Sequence, residues 1–368
     1  MARVIISGGG TGGHVFPAIA IANSLRFKQP EIELLFVGAS DRMEMEKVPE
    51  AGYEIIGLWI SGFQRSLSLK NLSFPFKLIH SMIKARSIIK SFKPDVVVGV
   101  GGYASGPMLK AAANSGVSTL IQEQNSYAGV TNRLLARNVT KVCVAYEGMD
   151  KFFPADKIML TGNPVRKDIL ELEGKANLGN SHFGLDERLK TVLAVGGSLG
   201  ALSINQGISA SLDLFHESGL QVIWQTGSTY YKEAKQKASD AKYEDRIKVF
   251  DFISHMDYAY AVSDLIISRA GAIAVSELCT VGKPVILVPS PYVAEDHQTQ
   301  NAKALVEKNA AILVKDSETQ ATLGVAAVDL LKDDSRSKEL ADAILKLAKV
   351  DAANVIADEI LKMSLKMS

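Results

Sequence analysis

Two stretches of this chain, "VIISGGGTGGHVFPAIAIA" from Val4 and "VLAVGGSLGALSINQGI" from Val192, repeat one plan: an apolar run, paired glycines, a small hydroxyl residue, another glycine and a helix-forming segment. In the first, Val4 to Ile6 read as a strand, and Ala18, Ile21, Ala22 and Leu25 share one face of a helix. The glycines therefore occupy a strand-to-helix turn. Amides at such a helix start point outward and the peptide dipoles leave partial positive charge there, which suits a phosphate or diphosphate. Glycine equally serves a tight turn and close helix packing. Gly8-x-Gly10-x-x-Gly13 also fits the dinucleotide fingerprint, with Asp41 after the second strand as an acidic partner. A nicotinamide-dependent oxidoreductase is the rival this raises, and it leaves the second glycine turn without a purpose.

Strand-like runs alternate with helix-like ones along the whole chain. "ELLFVG" from Glu33, "VVVGV" from Val96, "STLIQE" from Ser118 and "KVCVAY" from Lys141 follow the first strand; "TVLAVGG", "QVIWQTG", "IKVFDF", "DLIISRA" and "KPVILVPS" come after Pro164. This alternation predicts an α/β fold with parallel sheets between helices and ligands at the carboxyl ends of strands. A length of 368 residues fits two domains. We place them at 1–164 and 165–340, joined near "TGNPVRKD", with a helix over 341–368 folding back on the first. Leu170 to Arg188, polar and Gly/Asn-containing, reads as linker. A third glycine turn, "GVGGYASGP" from Gly99, follows the strand at Val96. At least two of the three turns are expected to face a common ligand cleft.

Composition narrows the function. Hydrophobic residues make up 47% of the chain and charged ones 22%, which excludes disorder as the main theme. With a net charge of +1 there is no global case for nucleic acid. The first strand follows Met1 almost directly, which argues against a secretory signal, and no apolar run reaches membrane-spanning length. Cys143 and Cys279 stand far apart and read as buried thiols in a reducing compartment such as the cytoplasm.

His14 lies where the first turn enters its helix. A helix start disfavours imidazolium, so this histidine is expected to be neutral, the form a general base requires; capping the helix or bonding a loop carbonyl would account for it equally. In "ISRAGAIAVSELCTVG", Glu277 sits one turn into a helix, where a carboxylate can accept from a ribose diol or simply complement the dipole. Asp-x-Asp pairs and metal-ligand spacings are absent from the sequence, so a departing diphosphate is expected to rest on amides and Arg rather than on a bound metal. Arg65 to Lys93 carries seven Lys or Arg and no acid, interleaved with Phe74, Phe76, Ile79, Met82 and Ile83. Such a segment can lie on an anionic membrane surface; the plain alternative is a helix with one buried face and a solvated basic one.

"GGGTGGHVFP", "GGYASGP", "EQNSYAGVTNR", "GNPVR", "GGSLGA", "AGAIAVSE" and "EDHQTQNA" together resemble the MurG family of UDP-N-acetylglucosamine transferases, in order and with compatible spacing from residue 8 to 302. The resemblance implies two Rossmann-like domains facing a cleft, a GT-B type glycosyltransferase. It implies an inverting transfer of GlcNAc from UDP-GlcNAc to an undecaprenyl-linked MurNAc-pentapeptide acceptor, with no cofactor, at the cytoplasmic face of the inner membrane as a peripheral protein. His14 would be the base. Thr11, Gly12 and Gly13 would lie near sugar and diphosphate, and Asn125 would contact the donor sugar. Arg166 and Ser198 would hold the diphosphate, Ile253 would line the uracil pocket, and Ala272, Ile273, Ala274, Val275, Ser276 and Glu277 would bind the nucleotide, with Gln298 on the sugar hydroxyls. Gly101, Gly102, Tyr103 and Ser105 would form an acceptor or phosphate loop. Lys70, Phe74, Phe76, Lys77, Ile79, Ile83 and Lys84 would meet the membrane. Many relatives have Gln at Leu199 and Thr at Ala274, so side-chain hydrogen bonds from those two positions are missing here.

Overall fold

The computed structural model describes residues 1–61 and 74–365. Among these, the strands form two all-parallel sheets. The first holds β1 (Arg3–Ser7), β2 (Glu33–Ala39), β3 (Ile55–Leu58), β4 (Val96–Gly99), β5 (Ser118–Glu123), β6 (Lys141–Val144) and β7 (Ile158–Leu160), in the order β3-β2-β1-β4-β5-β6-β7. The second holds β8 (Thr191–Val195), β9 (Gln221–Gln225), β10 (Ile247–Phe250), β11 (Leu265–Ser268), β12 (Val285–Leu287) and β13 (Ile312–Leu313), in the order β10-β9-β8-β11-β12-β13. Central strands are apolar on both faces because helices cover both. Ile5 pairs with Leu35 on one side and Val97 on the other, and Val4, Ile5, Ile6, Val96, Val97 and Val98 are all inaccessible to solvent.

All ten strands expected from the sequence are present. The three others, β3, β7 and β13, are edge strands of two to four residues with mostly half-buried side chains, too short to stand out as apolar runs.

The chain divides into two compact units, Met1–Val165 with Asp351–Ser368, and Arg166–Val350. The carboxyl end differs from the single helix expected there. The helix Asp334–Leu345 belongs to the second unit, burying Leu340 and Ile344, while a separate helix, Ala352–Leu365, belongs to the first. The latter packs on the helix Gly12–Lys28, placing Ile356, Ala357 and Ile360 in one apolar cluster with Ile21 and Leu25. Ser24 Oγ donates to Asn354 Oδ1 at 2.6 Å, and Lys28 pairs with Asp358 at 2.8 Å.

Leu170 to Arg188 is also more than a linker. It contains the helix Lys175–Phe183, which packs on the helix Met256–Val262 and buries Phe183. A side chain at Gly179 would overlap Val262 and the Tyr258 carbonyl, so glycine at this position permits the contact. Both cysteines are buried, and desolvation pushes each thiol up to about 12.

Ile360 is fully buried. Ile360→Ala is expected to cost the first unit about 2–5 kcal/mol, read by denaturant unfolding. Unchanged stability would show that the last helix is not needed to close that core.

Candidate active site

In the first sheet strand order reverses between β1 and β4, and in the second between β8 and β11. At such a switch point the loops leaving adjacent strands diverge to opposite faces and open a crevice at the carboxyl edge. The glycine turns stand at these points: the first after β1, "GGYASGP" after β4, "GGSLGA" after β8 and "AGAIAVSE" after β11.

Within the first unit, the turns after β1 and β4 lie backbone against backbone. The Gly9 amide donates to the Gly101 carbonyl at 3.2 Å, and a Cβ on Gly102, at φ +83°, would overlap the Gly9 carbonyl. Gly8 and Gly10 also turn their amides inward, Gly8 to the Val37 carbonyl at 3.1 Å and Gly10 to Glu44 Oε2 at 2.7 Å. The dinucleotide reading loses the donors it needs there. The outward amides are those of the helix start, from Gly12 and Gly13, with Thr11 as N-cap residue and no side-chain cap.

His14 Nδ1 lies 3.0 Å from the Gly9 carbonyl and 3.3 Å from Thr11 Oγ1. A carbonyl can only accept, so the geometry assigns the ring proton to Nδ1 and leaves Nε2, the edge beside Gly101, as the basic nitrogen. Of the alternatives weighed for this histidine, the bond to a loop carbonyl is present, and it sets the tautomer that a base would use. In the second turn Tyr103 is half exposed, whereas Ser105 is buried and donates to the Gly102 carbonyl at 2.9 Å. Ser105 braces the turn; its hydroxyl proton is not presented outward.

Asn125 follows β5 and is oriented by a residue the motif contained but which sequence reasoning passed over. Glu123, 2% exposed, accepts from the Asn125 amide at 3.1 Å, the Asn125 side chain at 3.4 Å, the Gly129 amide at 3.0 Å and Asn132 Nδ2 at 2.8 Å. One carboxylate thus ties the "EQN" loop to the start of the helix Val130–Leu135.

In the second unit, Ser198 is exposed in its turn, with Gly197 at φ +89° and Gly200 at φ +77°. Gln225, buried at the end of β9, donates to the Gly197 carbonyl at 3.0 Å and accepts the Ile253 amide at 2.8 Å, so it couples the glycine turn to Ile253. Ile253 itself is 4% exposed and offers little side-chain wall. Ala272, Ile273 and Ala274 form the first turn of the helix Ala272–Val281, where amides of a helix start suit an anion. Val275 instead points into the core, and Ser276 Oγ donates to the Ala272 carbonyl at 3.0 Å.

Glu277 is buried and paired. Arg166 Nε and Nη2 hold its two carboxylate oxygens at 2.8 and 3.1 Å, a bidentate fork, and Tyr260 Oη donates to Oε2 at 3.4 Å. Burial works against the Arg166 charge, but Glu277 outweighs it and moves the guanidinium further up its range. Burial, reinforced by the Glu277 charge, raises the Tyr260 hydroxyl well above its ordinary value and keeps it a donor. Gln298 accepts the Ser290 amide at 2.9 Å and lines a cavity of about 550 Å³ with Gly196, Ser203, Arg269 and Asp316; it alone of the expected donor-site residues does so.

On the helix Phe74–Phe92, Phe76, Ile79 and Ile83 form an exposed stripe, while Ser81, Ala85, Ile88 and Ile89 face the core. Two of its expected lipid-facing cations turn the other way. Lys77 donates to Ser61 Oγ at 3.0 Å and lies over the Trp59 ring, and Lys84 donates to the Gly57 carbonyl at 2.7 Å. Phe74 is half-buried at the helix start, and Lys70 lies outside the described residues.

Two parallel-sheet units with glycine turns at both switch points are the GT-B type of fold, and the family models that match them are those of glycosyltransferases. Residues 4–144 match the glycosyltransferase family 28 N-terminal domain and residues 191–356 the glycosyltransferase family 28 C-terminal domain. A Parabacteroides distasonis protein named UDP-N-acetylglucosamine–N-acetylmuramyl-(pentapeptide) pyrophosphoryl-undecaprenol N-acetylglucosamine transferase is 56% identical over 98% of this chain and 98% of its own. A Phocaeicola vulgatus protein of the same name is 56% identical over 98% of this chain and 96% of its own. The crystal structure of Acinetobacter baumannii MurG superposes with a TM-score of 0.81 at 32% identity, covering 98% of this chain and 100% of that one. The chain belongs to glycosyltransferase family 28, among its MurG transferases.

Gly102→Ala places a methyl group where the Gly9 carbonyl now stands, at a φ that side chains rarely adopt. We expect turnover to fall at least about tenfold with a stability loss of about 1–3 kcal/mol. Full activity would show that the two turns need not touch.

Proposed function

We propose that this protein transfers GlcNAc from UDP-GlcNAc to the 4-hydroxyl of undecaprenyl-pyrophosphoryl-MurNAc-pentapeptide with inversion. The observation that carries the reading is the His14 tautomer on a glycine turn at the first switch point, in a chain whose relatives of that named activity match it end to end. The acceptor oxygen attacks the anomeric carbon of the α-linked donor and its proton passes to His14 Nε2. The bond from that carbon to the diphosphate breaks, UDP leaves with the electron pair, and a β-1,4 linkage results. Base catalysis of this kind contributes roughly 10²–10⁴-fold.

The second unit's turns carry the donor in this reading. Amides of the Ala272–Ala274 turn and the exposed Ser198 face the diphosphate as preorganised donors. Glu277 accepts from the ribose diol, held in place by Arg166 and Tyr260. Arg166 keeps donors beyond the two it spends on Glu277, and these serve the departing diphosphate.

His14→Ala is expected to lower kcat about 10²–10⁴-fold with little change in donor KM, measured by transfer of labelled GlcNAc to a lipid-soluble acceptor. Turnover within a few-fold of the parent would remove His14 from the base role. Glu277→Ala should chiefly raise the UDP-GlcNAc KM, and equal use of the 2′-deoxyribose donor by the parent enzyme would contradict the ribose contact.

The acceptor's lipid requires a membrane surface, and we propose that Phe76, Ile79 and Ile83 enter it while the exposed Arg86 and Lys90 of the same helix meet anionic headgroups on the cytoplasmic side. Among the described residues no helix is long and apolar enough to cross a membrane. Replacing the three by Ser should weaken flotation with anionic vesicles about tenfold or more. Unchanged flotation would move the contact elsewhere.

A further inference from the structure

After β2, the chain turns so that Glu44, the first residue of the helix Glu44–Glu50, comes back beneath the first glycine turn. The side chain is 1% exposed. Its Oε1 accepts the Ala39 amide at 2.9 Å and its Oε2 the Gly10 amide at 2.7 Å. A Cβ on Gly9 would overlap the carboxylate and one on Gly38 the stem, so two glycines make room for this group. The Gly10 N–H and the Gly9 carbonyl are the two ends of one peptide group. That carbonyl is the acceptor of His14 Nδ1.

We propose that Glu44 is a positioning residue for His14, acting through the Gly9–Gly10 peptide. Carboxylate, peptide and imidazole form one hydrogen-bonded line, and bonds in such a line polarise one another. Glu44 draws the peptide N–H, the peptide carbonyl becomes a better acceptor, and the proton on His14 is fixed at Nδ1. When Nε2 takes the acceptor's proton, the resulting imidazolium is stabilised along the same line. Glu44 takes no proton itself, and the Nδ1 proton stays where it is. The arrangement answers a physical difficulty of the site: a helix start disfavours imidazolium, and a buried negative charge one peptide away offsets that. The inference rests on the base role proposed for His14.

Glu44→Gln keeps the size of the side chain and one acceptor oxygen but removes the charge. It is expected to lower kcat about 10–100-fold, the usual cost of losing a group that orients another, with the UDP-GlcNAc KM within about twofold of the parent. Added to His14→Ala, it should cost no more than about a further twofold, since both changes remove one unit. A parental kcat, or a loss of undiminished size in the His14→Ala background, overturns the inference. The parent enzyme supplies a second measurement that needs no variant to fold. Nitrogen-15 NMR should show neutral His14 protonated on Nδ1, and a ring protonated on Nε2 overturns the proposal. If His14→Ala keeps parental turnover, the base reading fails and takes this inference with it; if His14→Ala is crippled while Glu44→Gln is not, the inference alone fails.

Discussion

The first unit's site depends on contact between backbones that have no side chains to separate them. Gly9 meets Gly101 and Gly102 at a distance only glycine allows, its amide bonding the Gly101 carbonyl, while the Gly8 and Gly10 amides turn inward to the Val37 carbonyl and to Glu44. The Gly9 carbonyl faces His14, and the helix start follows directly beyond it. Glycine here does more than permit a turn. It sets which peptide groups are spent on the fold and which remain for chemistry.

Polar groups buried around the turns follow one pattern in both units. A carboxylate or amide with several bonds ties down a loop: Glu44 and Glu123 in the first unit, Gln225 and the Arg166–Glu277–Tyr260 group in the second. Buried charge is costly unless its bonds are made, and each of these has them. The outcome is a set of loops held from beneath.

Much of this was legible in the residues. Central strands announced themselves because both their faces are apolar, and the three glycine turns fell where apolar runs gave way to helical spacing. Edge strands such as β13 were not legible, since two half-buried residues make no pattern. The helix Lys175–Phe183 was hidden by its polar composition, because one buried Phe and one close-packed Gly carry its docking. At the site, Arg166 and Glu277 were readable because they lie inside motifs, while Glu44, Gln225 and Tyr260, which lie outside them, were not. Glu44 sits among ordinary acids in "DRMEMEK", and only the return of the chain beneath β1's turn gives it a role. Lys77 and Lys84 show the opposite error: charge counted along a sequence does not say which cations the protein has already used.

The discontinuity of the first unit has a bearing on how the molecule is made. Its core is capped by the helix Ala352–Leu365, which leaves the ribosome only after the whole second unit has been synthesised. Until then the apolar side of the helix Gly12–Lys28 lacks its cover, and chains cut short near the carboxyl end carry that uncovered surface permanently. A chain that lacks this helix is thus marked by exposed apolar surface, the feature that quality-control machinery reads, so the helix Ala352–Leu365 acts as a seal on a domain whose strand β1 was laid down long before it.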